Sequence, residues 1–234
     1  MKYHVLLVTA FFLWSTTGPI FRVCGLATSD YIATSSAVGL LALLLFFGRR
    51  VPEALRRAPR HRLLLLSILG AVNIWTAFEA FARTSIGNVL VLHYTAPILV
   101  AVVEPLRLKE KVTPRTIAIL AVSIVGLLLF SWKDIAFGGP RDLVGVGFAA
   151  ISALAYAAVI ILSRELARFG VDPIALTVGP SLLLFACVLP FLRPSTWTTA
   201  ALAISFGAGI LHLSIAALLY MIALRHVRAA TAAI

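Results

Sequence analysis

Three residues stand where their chemistry is hardest to ignore. Glu79, His93 and Tyr94 lie inside stretches otherwise apolar enough for lipid, where an ionisable group is costly and therefore points to a role. Glu79 and His93 each lie seven residues from Ile86, the centre of a polar turn at residues 83–88. With a helical rise of about 1.5 Å per residue, both sit roughly 10 Å from that turn on neighbouring antiparallel helices, at similar depth. A carboxylate and an imidazole that meet in low dielectric can share a proton and pass it on, which makes Glu79 and His93 the proton-coupling candidates. A plainer reading stays open: Glu79 pairs with Arg83 four residues on and reaches the interface, and His93 packs through a hydrogen bond.

Further polar and aromatic residues fall in the middle of apolar stretches. Trp14 and Thr17 stand with Ser15 and Thr16 before Gly18-Pro19, Asn73 and Trp75 share one stretch, and Tyr156, His212 and Tyr220 lie in later ones. Together with Glu79, His93 and Tyr94 they are the side chains expected to line a central cavity. For His212 the alternative is simple hydrogen bonding between helices. Gly18-Pro19, Pro97 and Gly179-Pro180 are the expected helix breaks, and a broken helix frees backbone carbonyls that can bind a solute. Glu104, beside Pro105 and Arg107, reads as interfacial, and Glu110 as a residue that ties down its loop.

The elements that must position these residues are membrane helices. Of 234 residues 61% are hydrophobic and 12% charged, too apolar for a soluble domain of this length. Eight apolar segments near 4–22, 32–48, 63–82, 87–106, 114–132, 143–163, 173–192 and 199–223 are each long enough to cross a bilayer, and the start of a ninth follows at Ala229. The expected class is an all-α polytopic membrane protein with short loops and antiparallel neighbours. Gly145, Ala149, Ala153 and Ala157 form a ladder of small residues that lets another helix approach closely. Cys24 and Cys187 are far apart, without metal-type spacing.

The formal charge is +11, yet the cations fall between apolar runs rather than on one basic face, which excludes a nucleic-acid partner. With the N-terminus in the cytoplasm, the inner loops carry 15 Lys and Arg and the outer loops 5. Cationic loops resist translocation, so this asymmetry places the N-terminus on the cytoplasmic side of the membrane, expected to be the plasma (inner) membrane, and leaves no cation at the centre of a span.

Two halves are readable. Residues 1–132 hold five spans, residues 131–142 read as a linker, and residues 143–234 hold a second set. An offset of about 142 sets Leu13-Trp14 against Ala155-Tyr156, and 143 sets Ala80-Phe81-Ala82-Arg83 against Ala223-Leu224-Arg225-His226. Five is odd, so the second copy lies upside down, an inverted repeat with its site at the interface of the halves. Nothing corresponds to residues 91–132 of the first copy. The second is therefore expected to lack spans nine and ten, with a natural eight-span form as the alternative.

One stretch also resembles a known family. Ala80-Phe81-Ala82-Arg83-Thr84-Ser85-Ile86-Gly87 follows the pattern Ala-Leu-x-x-Thr-Ser-x-Gly that closes the third span of an EamA-type repeat. Pro97 comes next, and then Leu108-Lys109-Glu110-Lys111-Val112-Thr113 in the place of a Leu-Gly-Glu-Arg-Leu-Thr loop, with Lys109 where the glycine stands. The chain thus resembles the drug/metabolite transporter superfamily, ten-span exporters built from two EamA-type repeats. The resemblance implies a secondary transporter that exports amino acids, related metabolites or small drugs by alternating access. It also implies a small-molecule substrate, a lipid environment, no cofactor, no metal and no catalytic residue, and leaves room for a homodimer.

The sequence carries no nucleophile elbow, zinc helix, P-loop or aspartate-rich metal motif. Any transport therefore draws on a gradient. The alternative from another class is an integral-membrane enzyme acting on a lipid or lipid-linked substrate, for which Glu79 and His93 come nearest to an acid–base pair.

Overall fold

The computed structural model describes residues 2–109, 112–132, 138–194 and 197–233, and its described elements are helices throughout. The first span, Lys2–Cys24, is two helices, α1 (Lys2–Ser15) and α2 (Thr17–Cys24), parted at Thr16. The second is α3 (Thr28–Phe47). A short amphipathic helix, α4 (Arg50–Arg57), follows, with Val51 and Ala54 turned inward and its arginines outward. The third span is α5 (Arg60–Arg83). The fourth, Ile86–Arg107, divides into α6 (Ile86–His93) and α7 (Thr95–Arg107).

Next come α8 (Pro114–Ser131), the long α9 (Pro140–Arg168) and α10 (Pro173–Val188), which a 3₁₀ turn extends to Phe191. The eighth span runs through α11 (Thr199–Ala208), a π-helical segment (Gly209–Ala216) and α12 (Ala217–Leu224), and α13 (Ala229–Ala233) follows. Seven of these spans are long and apolar enough to cross a membrane, and α8 is a shorter apolar helix over Pro114–Leu129. Large apolar side chains such as Phe12, Phe46, Val122 and Leu129 stand exposed on the outside. That surface suits lipid and would be insoluble in water. The protein is an all-α, multi-pass membrane protein.

Side-chain caps set the helix starts: Ser85 Oγ accepts from Asn88 N–H at 3.0 Å, Asp172 Oδ1 from Ile174 N–H at 2.9 Å, and Thr113 and Thr198 serve α8 and α11 likewise. Lys109 has φ 55°, the left-handed backbone that favours glycine, at the position where the resembling loop motif carries one. Glu110 and Lys111 of that loop motif, and Lys133, one of the five cations expected on the outer side, lie outside the described residues. The ladder Gly145, Ala149, Ala153 and Ala157 is buried. A Cβ at Gly145 would lie 2.8 Å from Thr84 Cβ, so α9 packs there almost backbone to backbone on the end of α5.

The third span packs on the sixth and seventh, and the eighth packs on the first and second. The second and seventh meet each other, and the fourth meets α13. The buried apolar residues form two main clusters. One, with Leu66, Ile160, Leu166 and Leu224, lies toward the face that carries the 49–62 loop, here called the basic face. The other, with Phe21, Tyr31 and Phe78 at ring distances of 5.0–5.1 Å, lies toward the opposite face.

On the basic face Glu165 bridges Arg62 at 3.0 Å and Arg107 at 3.5 Å, and Arg168 donates to Leu108 O at 2.8 Å. Two sequence readings change there. Glu104 is fully buried rather than interfacial, and its Oε2 accepts from Ala230 N–H at the start of α13. Arg164, assigned to a loop by the pattern of charges, is buried in the last turns of α9 and donates to Leu224 O. Both charges can be buried because they satisfy backbone groups left open at helix ends.

Candidate functional site

Between the two apolar clusters a band of polar and aromatic side chains crosses five spans near their middles. It begins in the first span, where Pro19 has no N–H for the Ser15 carbonyl and the helix parts at Thr16. Thr16 Oγ1 lies 3.0 Å from His212 Nε2, and Thr17 Oγ1 lies 3.4 Å from Nδ1. The imidazole, 4% exposed, thus has a hydroxyl on each nitrogen. Trp14 Nε1–H donates to the backbone carbonyl of His212 at 3.0 Å.

His212 O is within reach because the eighth span is wound as a π-helix from Gly209 to Ala216, looser than α and able to offer carbonyls to side-chain donors. Gly209 O likewise takes Ser214 Oγ–H at 3.2 Å, and the same hydroxyl donates to Gly39 O at 2.8 Å. The π segment presses on α3 at a crossing of two glycines. A Cβ on Gly209 would lie 2.2 Å from Ser35 O, and one on Gly39 would lie 2.9 Å from Gly209 O.

From Trp14 the band continues through aromatic rings. Trp14 and Tyr220 have centroids 5.2 Å apart, and Phe11 packs edge-on against both at 5.9 Å. The buried Tyr220 hydroxyl faces that of Tyr156 without a hydrogen bond of ordinary geometry. Tyr156 stacks on His93 with centroids 4.6 Å apart and an interplanar angle of 21°, and Tyr94 lies near it. His93 Nδ1 is 3.3 Å from Ser152 Oγ, which donates to Asn73 Oδ1 at 2.9 Å. His93 closes α6 at a helix break, because Pro97 has no N–H for its carbonyl.

The structure therefore brings together Trp14, Thr17, Asn73, His93, Tyr94, Tyr156, His212 and Tyr220. It leaves two sequence candidates elsewhere. Trp75 packs with Phe191 at 6.2 Å in the cluster toward the opposite face. Glu79 is ion-paired with Arg83, which also donates to Glu79 O and lies 5.0 Å over the Phe148 ring. Among the described residues Glu79 and His93 do not hydrogen-bond to each other, and the partner of His93 is Ser152. A third expectation also differs: α10 runs unbroken through Gly179-Pro180, and Pro180 fills the space left by Gly70, whose added Cβ would lie 2.8 Å away.

Sequence reasoning missed Ser152 and the π segment. Ser152 is fully buried beside the small-residue ladder and reads there as packing. The π winding follows from the close crossing with α3, which has no local signal. The band holds no charged side chain. It offers aromatic faces, hydroxyls, one amide and two imidazoles, chemistry that would suit a small solute with both flat and hydrogen-bonding parts.

Comparison with known proteins adds to this geometry. Residues 1–132 match the model of the EamA-like transporter family. A curated protein of Archaeoglobus fulgidus, named only an uncharacterized transporter, is 26% identical over 196 residues, covering 81% of this chain and 66% of that protein. The chain thus spans just under two thirds of that relative's length. A solved crystal structure, 22% identical, shares the fold with a TM-score of 0.76 over 99% of this chain and 84% of the other.

Proposed function

As the chain belongs to the EamA-like transporter family, we propose that it is a gradient-driven secondary transporter of the inner membrane, exporting amino acids or related small metabolites and drugs. The observation that carries this reading is the uncharged band from Trp14 to Asn73, placed at mid-depth and built from the first, third, fourth, sixth and eighth spans. A solute held there touches both halves of the chain, and a rocking motion of one half on the other turns it from one face to the other.

The two-half reading is supported by the packing pattern. Exchanging spans one to three with six to eight preserves it, because third-on-sixth mirrors eighth-on-first and third-on-seventh mirrors eighth-on-second. It is supported also by register. The offset of 142 sets Asp30, Ile32 and Ala33 at the start of α3 against Asp172, Ile174 and Ala175 at the start of α10. The halves are then residues 1–132 and 143–234, inverted in the bilayer, with the basic face cytoplasmic. Of the two groups proposed for proton coupling, His93 lies on the band and Glu79 is engaged by Arg83, so His93 is the better placed.

Counterflow in proteoliposomes tests the reading. Proteoliposomes loaded with pooled amino acids are expected to exchange labelled solute, and Tyr156→Ala to lower the rate about fivefold with the protein still monodisperse, since one aromatic contact contributes about 1 kcal/mol. Undiminished exchange in Tyr156→Ala would remove the band from the mechanism.

A further inference from the structure

Two arginines outside the band occupy matching places. Arg22 lies in the last turn of α2 and Arg164 in the last turns of α9, ends of the first and sixth spans. The offset of 142 carries one onto the other. Their partners match as well. Arg22 Nε and Nη2 each donate to Phe81 O at 3.3 Å, with Nη2 also donating to Thr84 O, and Arg164 Nη1 donates to Leu224 O at 2.7 Å. An offset of 143 carries Phe81 onto Leu224. In each half, then, the first helix sends a guanidinium to the terminal carbonyls of the third. Those carbonyls have no amide of their own helix to bind, and a cation there is favoured by charge and by the helix dipole. One clasp stands on each membrane face.

Equivalent in chemistry, the two differ in surroundings. Arg164 is 9% exposed, and beside it Glu165 bridges Arg62 and Arg107 across the basic face. Arg22 is exposed and lines an open cleft of about 470 Å³ with Phe21, Phe81, Arg83 and Ser85. Identical devices in unequal settings are what inverted halves give when the molecule rests in one of two access states, with the settings exchanged in the other. We infer that Arg22 and Arg164 are a matched pair of gating residues: the buried clasp seals its own face, and passage between access states exchanges which arginine is buried. In the state described here both clasps are formed, the one at Arg164 buried and the one at Arg22 open to water. This rests on the inverted-halves reading above.

The test uses the full chain in proteoliposomes, with Cys24 and Cys187 changed to Ser and Asn73→Cys as reporter. A membrane-impermeant maleimide is applied from each side. Arg164→Gln is expected to raise the ratio of basic-side to opposite-side labelling by about ten- to a hundredfold, the shift that follows when the lost charge-assisted hydrogen bond counts fully in the state that buries it and little in the state that opens it to water. Arg22→Gln is expected to move the ratio the other way, and the double variant to return near the parent. A purely structural role gives no such opposition of sign. Arg22 is exposed, so its variant still tests the proposal where every Arg164 variant fails to fold: the ratio is expected to fall, and a rise or no change overturns it. Shifts of one sign, or none in folded protein, overturn the pairing of the clasps. A parent labelled from neither side, or from one side only whatever solute is present, instead overturns the two-state transporter reading on which it rests.

Discussion

The band has two ends, each built around a histidine at a distorted helix, and they are not alike. His212 is buried, with a threonine hydroxyl on each ring nitrogen and its carbonyl held by Trp14. His93 is half-buried, bound through Nδ1 to Ser152 and stacked on Tyr156. Nδ1 is the one ring nitrogen of His93 with a hydrogen-bond partner among the described residues. An imidazole with both nitrogens engaged is part of the frame, and one with a nitrogen to spare can meet a solute or a proton. The distortions differ in kind too. Pro97 breaks the helix at His93 by its own chemistry, whereas the π winding around His212 depends on the crossing of Gly209 with α3.

The largest effect is expected where that crossing is closed. Gly209→Ala sets a methyl 2.2 Å from Ser35 O, a backbone atom that cannot swing aside. The cost is about 3 kcal/mol or more, and most of the folded, monodisperse protein is expected to be lost in size-exclusion chromatography. Gly207→Ala, two residues away with nothing within 4 Å of the added methyl, is the control that keeps it. Normal folding of Gly209→Ala would mean that the π segment is not pinned by this contact. The two ends of the band would then be equally adaptable.

A smaller and more telling effect comes from removing each imidazole. His212→Ala removes a buried side chain together with its hydrogen bonds to Thr16 and Thr17, at about 1–2 kcal/mol, and is expected to lower the detergent melting temperature by several degrees while the surviving protein still transports. His93→Ala is expected to leave the melting temperature nearly unchanged and to slow exchange at least tenfold. The reverse pattern assigns the solute to the His212 end.

How much of this could be read beforehand follows from the range over which each feature is determined. Spans are legible because some twenty apolar residues are needed to cross lipid whatever their neighbours, and the breaks at Pro19 and Pro97 because proline removes its own hydrogen bond. The positions of Trp14, His93, Tyr156 and His212 in mid-span were legible for the same reason. Their partners were not. Ser152 reads as one more small residue, Pro180 reads as a break until Gly70 is seen to make room for it, and α4 reads as loop because half of its eight residues are charged. Glu104 reads as interfacial because the amide it caps, Ala230, lies far away in sequence. Each of these depends on a second segment whose placement no local pattern contains.

Glu79 carries the smallest expected effect and draws the finest line within the His93 end. Its carboxylate and the Arg83 guanidinium are one turn apart on α5, and the Arg83 side chain is 33% exposed and also lies over Phe148. Glu79→Gln keeps the shape, removes the buried charge of the pair, and leaves the partly exposed Arg83 its ring and the Glu79 carbonyl. The loss of stability is expected to be no more than about 1 kcal/mol, and the exchange rate to stay within about threefold of the parent. Should Glu79→Gln instead abolish exchange driven by a proton gradient while downhill counterflow persists, the carboxylate is a carrier of protons. His93 would then be its relay, and the free ring nitrogen would face a proton donor rather than a solute.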